Sequence, residues 1–193
     1  MFHNLKFLSN IVGIHNLLLT LITEIVFKNC IMYTKCQRKL ILKFINNNEG
    51  DLFIDEKVLN DPLDSQIQIE IDYAGINRAD ILQRKGHYPP PKGESEIIGL
   101  ECSGKVSKIG RLVKKFSLGD QVCAILAGGG YAEFVNVDEK QVMPLPSNLN
   151  SLEAGGLPET TLTVYENIFN VSNFQKDESI LIHGGSSGIG TTA

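Results

Sequence analysis

The stretch QIQIEIDYAG, residues 66–75, alternates without interruption and places Ile67, Ile69, Ile71 and Tyr73 on one face. A strict period of two is the pattern of a strand buried on one side. Shorter strands are expected around it at 103–109, 121–126 and 131–137, with Gly119-Asp120 and Gly128-Gly129-Gly130 marking the turns. The runs 38–45 (RKLILKFI) and 51–58 also read as strands, separated by the turn cluster Asn46-Asn47-Asn48-Glu49-Gly50. Many short strands at this spacing predict a small barrel.

Two kinds of segment interrupt the strands. Asn77-Arg78-Ala79-Asp80 opens a short helix, with Asn77 as N-cap and Asp80 near the positive end of the helix dipole, and Gly86 ends it. His87-Tyr88-Pro89-Pro90-Pro91-Lys92-Gly93 must be a loop, since three prolines fit neither a helix interior nor a central strand. Past Pro146 the pattern changes. One helical turn is expected at 151–155, a longer helix at 159–171, and an apolar strand at 179–183.

That last strand runs directly into Gly184-Gly185-Ser186-Ser187-Gly188-Ile189-Gly190. Strand, glycine loop and helix start are the opening of a dinucleotide-binding unit, in which backbone N–H groups approach a pyrophosphate. In the usual G-x-G-x-x-G pattern Gly185 and Gly190 fill the outer positions, and Ser187 stands in the middle one. The alternative is an ordinary tight turn between strand and helix. The ribose-reading residue would lie about 20 positions further on, past Ala193, so NADH and NADPH are not distinguished. One strand and a few helix residues also lack the parallel neighbours and covering helices of a doubly wound sheet. The isolated chain is therefore expected to bind dinucleotide weakly or not at all.

Composition removes other classes. The 193 residues are 42% hydrophobic and 21% charged, which excludes disorder and collagen-like repeats. With 18 Lys+Arg against 22 Asp+Glu, no basic field is available for a nucleic-acid backbone. Cys30, Cys36, Cys102 and Cys123 form no CxxC pair, and they read as reduced thiols of a cytoplasmic protein. Residues 1–36 form an atypical apolar extension. The run 11–27 falls short of a membrane span and carries His15, Asn16 and Glu24. Its apolar residues have helical spacing, compatible with an amphipathic helix that docks on a partner or a membrane surface, and the expectation is a non-essential extension.

Five blocks together resemble the quinone oxidoreductases of the medium-chain dehydrogenase/reductase superfamily, in the zeta-crystallin-like branch. They are AGINRADILQRKGHYPPP (74–91), IIGLECSGKVSKIG (97–110), LGDQVCAILAGGGYAEFV (118–135), LPETTLTVYENIF (157–169) and ILIHGGSSGIGTTA (180–193). The resemblance spans roughly residues 38–193. It implies a mainly β chain with an α/β start: a GroES-like barrel at 37–150, then linker helices and the truncated beginning of a Rossmann domain at 151–193. The chain is accordingly expected to be an amino-terminal fragment. Family members are often homo-oligomers, and a truncated chain is not expected to assemble as they do.

The resemblance also implies an absence of zinc. In the zinc-dependent pattern a cysteine stands where this chain has Asn77 and a histidine where it has Leu100, and neither an amide nor an alkyl group replaces those ligands. The implied activity is NAD(P)H-dependent hydride transfer to a small-molecule quinone or conjugated carbonyl. NADPH is the expected cofactor, with NADH left open. Tyr88 matches a cleft tyrosine and would be the phenolic donor, or else a loop tyrosine packed on the prolines. Asn77 matches the family asparagine that could contact substrate or nicotinamide, and a second family tyrosine is replaced by Leu82. Thr163 matches a threonine near the nicotinamide carboxamide. Gly185, Ser186, Ser187, Gly188, Ile189 and Gly190 would hold the phosphates. Asp80 is expected to be a helix-start carboxylate, Glu101 to be ion-paired or solvent-exposed, and Cys102 and Cys123 to be core thiols. Two alternatives stand beside this reading: a catalytically inactive fragment or stand-alone GroES-like module from a split or decayed gene, and an enoyl reductase of the same superfamily.

Overall fold

The computed structural model describes residues 52, 54 and 60–193. The apolar extension and the strands expected at 38–45 and 51–58 fall almost wholly outside that range.

Five antiparallel strands form one sheet: β1 (Gln66–Tyr73), β2 (Glu101–Ile109), β3 (Gln121–Ile125), β4 (Phe134–Asp138) and β5 (Val142–Pro144), in the order β4-β1-β2-β3-β5. The central strand is the alternating one. Ile67 and Ile69 are fully buried and Ile71 nearly so, packed with Cys102, Val106, Val122, Ala124, Val135, Val137 and Val142. Each large aliphatic side chain removed from water in this way contributes roughly 1.5–3 kcal/mol. The opposite face of β1 is not simply wet. Gln68 is buried there, donating to Asn136 at 3.2 Å, while Ser107 Oγ donates to the Gln68 carbonyl at 3.1 Å.

The helices flank this sheet. Helix α1 (Arg78–Arg84) follows Asn77 and ends before Gly86, whose φ of 73° suits glycine. Helix α2 (Ser151–Ala154) is tied to the sheet by two serine hydroxyls. Fully buried Ser103 on β2 donates to the Ser151 carbonyl, and Ser151 Oγ donates to Asp72 Oδ2 at 3.0 Å. Helix α3 (Pro158–Tyr165) starts with proline at its first position, where no N–H is needed, and continues as a π-helical turn over Glu166–Val171. Helix α4 (Gly188–Thr192) closes the described chain and packs against α3.

One expected element is absent. Residues 179–183 form no strand and pair with nothing among the described residues; Leu181 is 80% exposed. The sequence there is apolar enough for a buried parallel strand, but such a strand exists only through ladder bonds to neighbours and helices on both faces. None is present among the described residues.

Candidate functional site

The site is organised by the turn between β1 and α1. Asn77 caps α1 in extended conformation (φ −115°, ψ 156°), and its backbone N–H donates to Asp80 Oδ2 at 2.7 Å. Asn77 is the cap its sequence foretold, and the returning bond to Asp80 is added by the structure. Asp80 is more than a cap residue, however. It is 4% exposed and also accepts a hydrogen bond from the Tyr131 hydroxyl at 2.9 Å, with the Gly75 carbonyl oxygen 3.2 Å from the same hydroxyl.

Glu101, the first residue of β2, departs most from expectation. It is neither ion-paired nor exposed but 1% accessible. Its Oε1 accepts from Asn77 Nδ2 at 2.8 Å, and its Oε2 accepts from the backbone N–H of Glu159, in the first turn of α3, at 2.9 Å. The expectation failed because a carboxylate can be held under the surface by N–H donors alone, without a cation. Gly75 leaves the room: a Cβ there would stand 2.0 Å from Glu101 Oε1.

Burial governs the electrostatics. It raises the carboxyl pKa values of Asp80 and Glu101, against the opposing pull of their hydrogen-bond donors, and Asp80 raises Glu101 further by like charge. Glu159 moves the same way, through burial and the charges of Glu101 and Asp80. Burial and the adjacent Asp80 push the Tyr131 phenol far above its ordinary range, so it stays a donor. Burial also raises both Cys102 and Cys123, which are free thiols within the core. One charge remains poorly solvated: Asp80 Oδ1 is buried without a hydrogen-bond partner, as are both polar atoms of Gln83 one turn along α1.

The other predicted residues lie apart from this network. Tyr88 is half-exposed on the proline loop, and Thr163 is half-buried on α3. Leu100 is buried with an alkyl side chain beside Glu101. Among the described residues no group of three or more His, Cys, Asp or Glu side chains is arranged to hold a metal ion.

The glycine loop is exposed and closed by its own chain. Ser187 donates its N–H to the Gly184 carbonyl at 2.8 Å, and its hydroxyl caps α4 by accepting from Gly190 N at 3.1 Å. Gly190 must be glycine, because a Cβ would lie 2.4 Å from the Gly184 oxygen. The amides of Gly185, Ser186, Gly188 and Ile189 have no acceptor among the described residues. Thr160 on α3 lies against the loop, 3.3 Å from where a Gly188 Cβ would stand.

Sequence reasoning missed Tyr131 and the roles of Glu101 and Glu159. Tyr131 follows three glycines and read as the start of a strand. The signal within reach was Gly75, a glycine ending a β run with no turn sequence of its own.

Residues 63–147 match the alcohol dehydrogenase GroES-like domain. The chain is 38% identical over 136 residues to the reducing polyketide synthase FUB1 of Gibberella fujikuroi, a match covering 70% of this chain and 5% of that protein. Among solved structures it resembles the CurK enoyl reductase, with a TM-score of 0.70 and 26% identity over 80% of this chain and 49% of that one. It also resembles the Escherichia coli quinone oxidoreductase complexed with NADPH, with a TM-score of 0.65 and 32% identity over 79% of this chain and 46% of the other. The chain thus spans about half the length of these solved relatives.

Proposed function

We propose, for a chain that belongs to the medium-chain dehydrogenase/reductase superfamily through its GroES-like domain, a zinc-independent NAD(P)H-linked reduction of a quinone or conjugated carbonyl. The general reductase character is common to its relatives; the acceptor and the independence from zinc are the proposed part. This chain would supply the substrate barrel and the first cofactor contacts. A second polypeptide region like the remaining half of the solved relatives would complete the cofactor lobe.

The observation that carries the reading is the Asn77–Glu101 hydrogen bond. Where zinc-dependent relatives of this pattern place a thiolate, the chain has a neutral amide already engaged by a buried carboxylate. The position that calls for imidazole holds buried Leu100. Such a donor set suits hydrogen bonding to an acceptor oxygen and not a borderline-soft metal ion. Without a Lewis acid, a carbonyl must be polarised by N–H and O–H donors, and a conjugated acceptor asks less of them than a simple ketone. Asn77 retains one N–H beyond that given to Glu101, and Tyr88 offers a phenol from the adjoining loop.

The glycine loop fits a dinucleotide phosphate as far as it goes, since four of its amides are free to donate. Gly185, Ser186, Ser187, Gly188, Ile189 and Gly190 would hold that end, with Thr163 toward the nicotinamide. When bound, the nicotinamide supplies the hydride. With residues 179–183 unpaired, the chain by itself would hold NADPH weakly, and a titration giving micromolar affinity would overturn that statement. The free, buried thiols Cys102 and Cys123 suit a reducing, cytoplasmic setting.

The test follows loss of NADPH absorbance on adding a simple quinone to the purified chain, with NADPH raised well above the micromolar range. Oxidation that needs both protein and quinone, and falls at least about tenfold in Tyr88→Phe or Asn77→Ala, supports the reading. No protein-dependent oxidation at saturating reactants contradicts it and favours the inactive module. An enoyl thioester run in parallel decides the second reading, which is favoured by the likeness to the CurK enoyl reductase.

A further inference from the structure

We infer that Glu101 is a positioning residue, a two-sided clamp that ties the Asn77 side chain to the helix flanking the glycine loop. Its catalytic meaning rests on the reductase reading above; its physical existence does not.

An ionised carboxylate accepts hydrogen bonds and donates none. Glu101 presents Oε1 to Asn77 Nδ2 and Oε2 to the Glu159 N–H, so both oxygens are engaged by donors from different elements. The first contact fixes the Asn77 amide with its nitrogen toward Glu101, because the reverse orientation would set oxygen against oxygen. The second holds the first turn of α3, where the Glu159 N–H has no intrahelical partner. Neither partner can move far without forfeiting a bond to a charged group, and at 1% exposure water is not at hand to replace it. Gly75 contributes by lacking a side chain, since any Cβ would occupy the Oε1 position. The Tyr131 hydroxyl holds the same turn from the other side, through Asp80 and the Gly75 carbonyl.

The consequence concerns the two halves of the proposed reaction. Asn77 lies in the turn between β1 and α1, which the reductase reading assigns to the substrate side. Helix α3 carries Thr163 and packs against α4, the helix that closes the glycine loop. Through one side chain, a change in the orientation of Asn77 is felt at the start of α3, and the reverse. Glu101 thereby sets where a polarising amide stands relative to the element that borders the cofactor.

The experiment is amide hydrogen exchange of the full chain, read by NMR at Glu159. It compares wild type, Asn77→Ala, Glu101→Gln and the double variant Asn77→Asp/Glu101→Gln. Removing the Asn77 amide deletes no bond of the Glu159 N–H itself. The clamp nevertheless predicts roughly tenfold faster exchange there, because a carboxylate released on one side loses its orientation on the other. In the double variant the new glutamine oxygen accepts from Glu159 while its amide donates to the new carboxylate. Protection should return to within about threefold of wild type, which loss of packing alone would not produce.

Unchanged exchange in Asn77→Ala overturns the clamp, and so does a double variant as unprotected as the two single changes combined. Should Glu101→Gln fail to fold, the Asn77→Ala measurement decides alone. The outcomes separate the clamp from the reductase reading. Coupled exchange without NADPH oxidation leaves the clamp standing and removes the reaction. Oxidation without coupling does the opposite.

Discussion

The turn between β1 and α1 and the glycine loop are both irregular backbone built around glycines, yet they are completed in opposite ways. At the turn, Asn77, Asp80, Glu101 and Tyr131 find hydrogen-bond partners in one another and in the first turn of α3. In the loop, four amides find no acceptor among the described residues, and the apolar run leading to it is largely exposed. The difference teaches where each region obtains its order. The turn is organised by its own side chains. The loop leaves its amides without acceptors among the described residues.

Substitutions can break this contrast, beginning where the turn is tightest. Gly75→Ala should be the most damaging, because its Cβ would overlap the clamped Glu101 oxygen. A cost of about 3 kcal/mol is expected, read from urea unfolding. Tyr131→Phe removes one of the two donors to buried Asp80 Oδ2, leaving the Asn77 N–H as its remaining partner. It should cost about 2 kcal/mol in the same assay.

The glycine loop should tolerate what the turn does not. Ser187→Ala removes the cap of α4 and should cost no more than about 1 kcal/mol of stability, while weakening NADPH binding severalfold. Gly185→Ala meets open space, so its unfolding midpoint should match wild type within about 0.5 kcal/mol. A large loss in Gly185→Ala, or none in Gly75→Ala, would dissolve the comparison.

The acids divide along the same line and sharpen it through pH. Burial raises Asp80 and Glu101, so the folded state holds their protons more tightly than the unfolded chain does. Their contribution is fully present below the ordinary carboxylate range, near pH 4, and is lost as pH rises through the elevated folded values. Asp64 is lowered by Arg111, Asp138 by the Lys140 amide and then Ser65, and Glu139 by the amides of Lys114 and Lys115. Their contribution runs the other way and fades as pH falls below the ordinary range. Unfolding midpoints from pH 4 to 8 should therefore decline less steeply in Asp80→Asn than in wild type, once offset for its lower overall stability. An unchanged slope would mean that Asp80 does not titrate in this window.

The sheet was legible because its signals are local. The period of two in 66–73 named the core residues Ile67, Ile69 and Ile71, and Asn77 followed by Asp80 named the helix start. The loop at 87–93 could be read in the same way. What escaped was every contact that joins distant segments. Glu101 lies 24 residues from Asn77 and 58 from Glu159, and Tyr131 lies 51 from Asp80. No spacing rule connects such positions. A charged residue in a β run gives no sign that two N–H donors wait for it under the surface. The strand expected at 179–183 shows the converse: its composition was right, but a strand is a property of neighbours as well as of sequence.

The central claim is that the place of a metal ligand is taken by an amide–carboxylate pair. Zinc content measures this most directly, by elemental analysis of the chain purified without chelator and again after equilibration with zinc. The account predicts well under one zinc per chain in both states, unaltered by Asn77→Ala or Glu101→Gln. One tightly held zinc per chain that disappears in either variant would contradict it.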